Sequence, residues 1–232
     1  MGYKLRVESF RQALAIIKKD LRVELRAREV YGTVLLFAVM VLLVFSFTFV
    51  DDGNASVLAS SGVLWASLTF AGMLALGRVF EREGEGGTMQ GLLAAPVERW
   101  ALLLAKTSGV AALMLAVEVA VVPLVGVLFG APVLAYPAHL AALVVLGTIA
   151  FSLIGATFSG ILLGSRMRAV LLPVMLIPIA IPALIAGCKG TAALFADPAS
   201  TAIAWFWIKF LLGFDAMVGV VALWVFESLV TE

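Results

Sequence analysis

Few side chains of this sequence could do chemistry, and the strongest candidate is an acid. The chain has one cysteine, Cys188, and one histidine, His139. A single cysteine excludes an intrachain disulfide and a cysteine-based metal cluster, and a single histidine excludes a histidine-rich site within one subunit. Glu118 lies in a long apolar stretch, where an ionisable side chain is costly and is by default a hypothesis of function. We predict no catalytic residue and no metal site, and either a transport role or structural pairing for Glu118.

The elements that position these groups are set by an apolar composition. Of 232 residues, 63% are hydrophobic and only 13% are charged, and the mean hydropathy is +1.12. A soluble domain has about 45–50% apolar and about 25% charged residues. The core of a soluble domain of this length cannot bury so large an excess of apolar residues. The composition therefore predicts an integral membrane protein, and the net charge of +1 gives no indication of a nucleic-acid partner.

Six apolar stretches are each close to the ~20 residues that cross a bilayer as a helix. Backbone polar groups in lipid must be satisfied internally, and no alternating ten-residue pattern suggests a β-barrel. We predict an all-α integral membrane fold with six transmembrane helices. The predicted spans are Tyr31–Val50, Val57–Gly77, Thr107–Gly130, His139–Gly164, Ala169–Gly187 and Trp205–Glu227.

The distribution of Lys and Arg predicts the orientation. With six spans, every basic residue except Lys189 and Lys209 falls on the side that holds both termini. Because basic loops stay in the cytoplasm, we expect cytoplasmic N- and C-termini.

The first 30 residues are predicted to form a separate cytoplasmic element. In residues 4–29, apolar side chains such as Phe10 and Leu14 share one helical face, and basic side chains such as Arg11 and Lys18 share the other. Such a helix can lie in the membrane interface. An ordinary charged lead-in that fixes topology is the alternative. The remaining residues, 31–232, form the predicted six-span domain.

Two spans have distinctive sequences. The fourth has small residues at four-residue spacing, which let helices approach closely within the subunit or against a second copy; they are Thr148, Ser152, Ala156, Gly160 and Gly164. The fifth contains Pro173, Pro178 and Pro182. Each proline removes a backbone hydrogen bond, so this helix is expected to be kinked, either statically or as a flexing element.

The one long polar loop, residues 78–106, lies on the predicted cytoplasmic side. In this loop Glu81, Glu83 and Glu85 precede a Gly-Gly pair and then Thr88. Thr88 can cap a short helix that Pro96 ends. Met89, Leu92 and Leu93 would form the apolar face of this helix. An exposed apolar face at the membrane edge suggests a protein partner.

These features together resemble a known family. The run EREGEGGTMQGLLAAP at residues 81–96, followed by Lys106, resembles the loop of ABC-2-type transporter permeases. More narrowly, the chain resembles the CcmB family, haem exporter protein B of cytochrome c maturation. The resemblance includes the opening KKDLRVELRAREVYGTVLLFAVMVLLVFSF and the late run LLPVMLIPIAIPALIAG. It covers essentially the whole chain.

The resemblance implies a permease subunit that is not itself an enzyme. No G-x-x-x-x-G-K-[ST] phosphate loop occurs, so ATP would be hydrolysed on another chain. In this family that chain is the ATPase CcmA, and the other partners are CcmC, CcmD and the haem chaperone CcmE, with a second copy of this chain also expected. No cofactor is expected to bind directly, and haem is the handled ligand. The docking residues implied for the ATPase are Glu81, Glu85, Gly87, Thr88, Leu92, Leu93 and Pro96. The implied location is the bacterial inner membrane.

Two other features resemble haem sites but are not assigned as such. A neutral histidine can ligate haem iron, but His139 lies beside Tyr136 and Pro137 at the start of a span. The segment WFWIKFLLGFD, residues 205–215, is more typical of an interfacial aromatic belt. Asp215, its last residue, is expected near the outer interface.

Three other functions stay open. An ABC-2 permease for a lipid or drug would have the same mechanics. An ion-coupled secondary transporter would depend on Glu118, although inverted repeats are not evident. A structural assembly subunit would tolerate loss of the loop's apolar face.

Overall fold

The computed structural model describes residues 28–51, 54–55, 57–85, 99–162, 165 and 167–228. The predicted amphipathic helix lies outside the described residues except for its last two positions. The boundary drawn between residues 1–30 and 31–232 therefore stays a prediction.

Six long helices account for most of the described chain, and each is long and apolar enough to cross a membrane. This confirms the predicted all-α multi-pass fold. The helices are α1 Arg28–Thr48, α2 Val57–Glu85, α3 Arg99–Phe129, α4 Pro137–Ile161, α5 Arg168–Phe195 and α6 Thr201–Ser228. Two two-residue strands, β1 Val50–Asp51 and β2 Asn54–Ala55, pair antiparallel between α1 and α2, with Val50 opposite Ala55.

Helices extend into both ends of the predicted polar loop, residues 78–106. The helix α2 continues to Glu85, eight residues past the predicted end of the second span, and α3 begins at Arg99, eight residues before the third. Hydropathy marks only the apolar part of such a helix, and the apolar parts, Ala59–Val79 and Leu103–Phe129, lie close to the predicted spans. Charged residues are adequate helix formers in water, so a helix can continue beyond its apolar part. Residues 86–98, between the two helices, lie outside the described residues.

The helix α4 is the centre of the bundle. It is the most buried of the six spans, and α2, α3, α5 and α6 all pack against it. The helix α1 packs against α2 and α3 at the periphery. Apolar side chains on the outward faces of α1, α5 and α6 remain exposed, as expected for surfaces that contact lipid.

The helix ends at the connection between α3 and α4 follow ordinary backbone rules. Gly130 has a φ of 64° directly after α3, a left-handed conformation that favours glycine and ends a helix. Pro137 lies in the first turn of α4, where its missing N–H has no intrahelical partner to lose. In α5 the three predicted prolines lie within one continuous helix.

Candidate functional site

The middle of the bundle holds a buried acid. The Glu118 side chain on α3 is only 3% exposed. Its Oε1 accepts a hydrogen bond of 2.5 Å from Thr148 Oγ1 on α4, which is also buried. Its Oε2 is buried and has no hydrogen-bond partner among the described residues. One oxygen of this carboxyl group is therefore satisfied and the other is not.

This pair lies near the middle of two apolar helices that are long enough to cross a membrane. Glu118 lies eleven residues before the C-terminal end of α3, and Thr148 eleven residues after the N-terminal start of α4, at the same end of the bundle. At the helical rise, each is about 16 Å from that end, about half of the ~30 Å hydrocarbon core. The role of Glu118 stays a prediction, but its position is the one in which an ionisable group is most costly.

Next to this pair, an indole joins three helices. The Trp65 ring on α2 fills the space at Gly147 on α4 and at Gly187 on α5, where an added Cβ would overlap ring atoms. Its Nε1 donates a hydrogen bond of 3.0 Å to Thr191 Oγ1 on α5. The indole N–H is thus satisfied inside the bundle, as lipid burial requires.

The contact between α2 and α4 has the same character two and three turns further along α2. A Cβ at Gly72 would lie 2.5 Å from the Phe151 ring, and one at Gly155 would lie 2.5 Å from a Leu76 methyl group. At each level a large side chain of one helix occupies the space that a glycine leaves on the other. The two helices are thus fitted to each other through these side chains. We refer to Trp65, Gly72 and Leu76 on α2, with the residues that they contact on α4, as the glycine seam.

A small cavity separates the seam from Glu118. It has about 10 Å³ open to the centre of a water molecule. That is about the minimum for one water. It is lined by Trp65, Leu68, Thr69, Met114, Glu118, Gly147, Thr148, Phe151 and Leu184.

The predicted ridge of small residues on α4 faces the chain's own helices. Ser152 Oγ lies 3.9 Å from Met114 Sδ on α3. Ala156 packs in an apolar cluster with Leu103 and Ala222. Gly160 is half-buried at the end of α4, and Gly164 lies outside the described residues. The ridge therefore packs within the subunit, and contact with a second copy stays a prediction.

The docking residues predicted for the partner ATPase are divided by the end of α2. Glu81 and Glu85 lie on its last two turns and not in a loop. The other five lie outside the described residues; they are Gly87, Thr88, Leu92, Leu93 and Pro96.

Asp215 is not near the outer interface, so this prediction is wrong. It lies fourteen residues after the start of α6, about 21 Å along the helix. The error came from the length of the aromatic segment, which runs inward from the interface for most of three turns. Both carboxylate oxygens of Asp215 are buried and have no hydrogen-bond partner among the described residues.

The register of α4 and α6 places Asp215 at the depth of Glu118. The two helices run parallel, and their contacts keep one spacing of 66 positions. His139 lies against Trp205, Leu153 beside Gly219, and Ala156 beside Ala222. The same spacing puts Asp215 level with Ile149, next to the hydrogen-bond partner of Glu118.

The histidine lies in an aromatic cluster at the N-terminal end of α4. The His139 ring is edge-on to Tyr136, with centroids 6.2 Å apart, and to Trp205 at 5.4 Å. Trp205 and Phe206 are both exposed. This arrangement agrees with the interfacial aromatic belt expected from the sequence.

Sequence reasoning missed the residues that organise the site. Trp65, Gly147, Gly187 and Thr191 were not singled out, and Thr148 was noted only for its small size. A tryptophan in mid-span was the available signal, because an indole N–H in lipid needs a partner.

Comparison with known protein families agrees with this architecture. The chain matches the sequence model of the CcmB protein family over residues 11–230. It is 31% identical over 189 residues to heme exporter protein B of Paracoccus denitrificans, covering 79% of this chain and 85% of the relative. It is 30% identical over 181 residues to heme exporter protein B of Rhodobacter capsulatus, covering 75% and 80%. A third heme exporter protein B, from Pseudomonas aeruginosa, is 26% identical over 178 residues. With six membrane helices and a family match over nearly its whole length, this chain belongs to the CcmB family.

Proposed function

We propose that this chain is the membrane subunit of an ATP-driven haem exporter complex in the bacterial inner membrane. The observation that carries the proposal is the family match over residues 11–230, together with relatives named heme exporter protein B. The complex acts in cytochrome c maturation, and haem is its cargo and not a resident cofactor.

ATP hydrolysis takes place on a separate subunit of this complex. The sequence contains no phosphate-binding loop of the G-x-x-x-x-G-K-[ST] type. By the family resemblance, the ATPase is CcmA, and the remaining partners are CcmC, CcmD and CcmE, with a second copy of this chain as a further candidate. ATP energy is used either to move haem or to release the haem-loaded chaperone.

The ATPase docks on residues 86–98 and on the adjoining end of α2. The two longest helices, of 29 and 31 residues, flank this segment. Both exceed the ~20 residues that a membrane requires. A push on the segment therefore acts directly on two rigid helices.

Inside the membrane, the glycine seam transmits this movement. The helix α2 is continuous from Glu85 to Trp65, about 30 Å away along its axis. At Trp65 it is fitted to α4 and α5, and at Gly72 and Leu76 to α4 again. Helices interlocked at three levels move as one body, which is the rigid-body type of conformational change.

The docking step is tested by ruining the predicted apolar face of the loop. We expect the double variant Leu92→Asp/Leu93→Asp to lose co-purification with the ATPase and to accumulate haem-loaded chaperone. Gln90→Asp is the matched control, because it adds charge on the predicted polar face of the same segment and should retain the ATPase. Intact association of the double variant would refute the docking claim.

The orientation is tested by cysteine labelling from the outside of spheroplasts. In a Cys188→Ser background, a cysteine at Gln90 should be protected from an impermeant maleimide. A cysteine at Leu134, which is 85% exposed between α3 and α4, should be labelled. Labelling at Gln90 would place the segment outside the cell and eliminate the ATPase-coupled mechanism.

A second candidate function is ion-coupled transport through Glu118. It is favoured by the midplane position of this carboxyl group and by its unsatisfied oxygen. It predicts that transport continues without the ATPase and is abolished by Glu118→Gln. The ATP-driven proposal predicts instead that transport stops when the ATPase is absent.

A further inference from the structure

A buried carboxyl group that the proposed mechanism does not use lies at the centre of the bundle. Glu118 Oε1 accepts a hydrogen bond from Thr148, whereas Oε2 is buried without a partner among the described residues. An ionised carboxylate has two acceptor oxygens and no donor. In this position its charge would be spread over one satisfied oxygen and one bare oxygen in a low-dielectric interior, which is an unfavourable arrangement for a buried ion.

In the part of the chain that the structure describes, no cation lies close enough to Glu118 to offset such a charge. The side chains around the cavity are aliphatic, aromatic, hydroxyl or thioether groups apart from Glu118 itself. On α3 the nearest lysine is Lys106, twelve residues away and about 18 Å along the helix. On α5 Lys189 is exposed on the surface of the bundle, and on α6 Lys209 is exposed as well.

The other titratable side chains described near this level are those of a tyrosine, a cysteine and an aspartate. From α1, the Tyr31 hydroxyl donates a 3.4 Å hydrogen bond to the Ala116 carbonyl of α3. From α5, Cys188 lies one turn outward of Leu184, which lines the cavity. From α6, Asp215 lies at the same depth, so a second carboxyl group adds to the cost of any negative charge. The helices α2 and α4 present only Trp65, Leu68, Thr69, Gly147, Thr148 and Phe151 to the cavity.

We propose that Glu118 is a proton-binding site of this permease, with Oε2 carrying the proton and donating it to one water molecule in the adjoining cavity. The proton supplies the donor that Oε2 needs, and the cavity has room for a single acceptor. Oε1 is then the carbonyl oxygen that Thr148 holds. The carboxyl group is neutral and both of its oxygens are satisfied.

The site also has a place in the transport cycle, and this step rests on the proposed function. The cavity is bounded by Trp65 and Gly147, which belong to the glycine seam. A movement that separates α3 from the α2–α4 unit admits water to Glu118, and hydration of the carboxylate then favours release of the proton. Closure restores the proton. Each cycle would therefore bind and release one proton at the midplane.

The static part of the proposal is tested on the full chain in lipid nanodiscs by infrared spectroscopy. At pH 7 an exposed glutamate, with an ordinary pKa of about 4.3, is ionised. We expect a protonated-carboxyl C=O band in the unmodified protein that Glu118→Gln removes and Asp215→Asn leaves. Thr148→Val, which removes only the donor to Oε1, should move that band to higher frequency. A difference spectrum between the unmodified protein and Glu118→Gln that contains only carboxylate bands would overturn the proposal.

The cycle step is tested on the complete complex by an ATP-triggered difference spectrum. We expect the same band to lose intensity when ATP is supplied to the complex. We expect no such change in the complex that carries Glu118→Gln. A band that is present but unaffected by ATP, in a complex that hydrolyses ATP, would refute proton release and leave the static site. If no ATPase associates at all, the proposed function fails while the nanodisc measurement still decides the proton site. If the Glu118→Gln variant does not accumulate, Thr148→Val is used to assign the band. A shift of the band frequency in Thr148→Val is enough by itself to assign the band to the Glu118 carboxyl group.

Discussion

The two sides of α4 pack in different ways. Toward α2 and α5, large side chains occupy glycine positions, and an added Cβ at Gly147 or Gly155 would meet a ring or a methyl group too closely. Toward α6, the contact includes Leu153 and Ala156 with Ala222, and a Cβ at Gly219 would lie 3.7 Å from Leu153, an ordinary van der Waals distance. The first contact is interlocked and the second is smooth.

This difference indicates where the bundle can move. Interlocked helices cannot slide without ejecting a side chain from its socket, whereas a smooth contact between small residues tolerates the small displacements of shear motions. The glycine seam is therefore suited to transmit force from α2. The contact between α4 and α6 is suited to absorb it.

The largest expected effect tests the interlocked side. Gly147→Ala places a methyl group in the volume of the Trp65 indole, which is held by Thr191 and by Gly187 and cannot easily move. Overpacking of this kind costs about 1–3 kcal/mol. We expect a clearly lower Tm in detergent, measured by thermal unfolding with size-exclusion detection. An unchanged Tm would mean that the indole has another position to occupy and that the seam is not interlocked.

A smaller effect separates the shape of the indole from its hydrogen bond. Trp65→Phe keeps an aromatic ring between the glycines but removes the donor to Thr191 Oγ1. Hydrogen bonds between membrane helices average about 0.6 kcal/mol and reach about 1.7 kcal/mol. A double-mutant cycle with Thr191→Val, read from unfolding in a mixed-micelle titration, should give a coupling energy in this range. Strictly additive effects would show that the bond contributes nothing to the join between α2 and α5.

The smallest effect is expected on the smooth side. Gly219→Ala adds a methyl group at an ordinary distance from Leu153 and raises helix propensity. The free energy of unfolding should change by no more than about 0.5 kcal/mol, as for an unconstrained site. The measurement is the same thermal unfolding assay, with Gly147→Ala beside it. Equal losses in the two variants would remove the distinction between the two sides of α4.

The sequence predicted the six spans because hydropathy reports directly on burial in lipid. Hydropathy says nothing about a helix that continues beyond its apolar stretch, so the helical residues 80–85 and 99–102, which flank two of the spans, could not be predicted from it. The depth of Asp215 was predicted wrongly, because it depends on where α6 begins and not on the composition around it.

The centre of the site could be predicted only in part. Glu118 was evident, since an acid in an apolar stretch is conspicuous. Its partner was not, because any of several hydroxyl groups on four neighbouring helices could have met it. The glycines that the Trp65 ring packs against, Gly147 and Gly187, lie on two helices far along the chain. No periodicity within one helix reveals which glycines face which ring. Those pairings are properties of the assembled bundle.

The order of these partners along the chain has a consequence for biogenesis. Glu118 leaves the ribosome 30 residues before Thr148, and Trp65 leaves it 126 residues before Thr191. Insertion of the second and third helices therefore exposes an indole donor and a carboxyl group whose eventual partners have not yet been synthesised. Until α4 and α5 arrive, these helices must be held by the insertion machinery or remain at the lipid interface. The helices α4 and α5 are thus required before α2 and α3 can satisfy their polar groups within the bilayer.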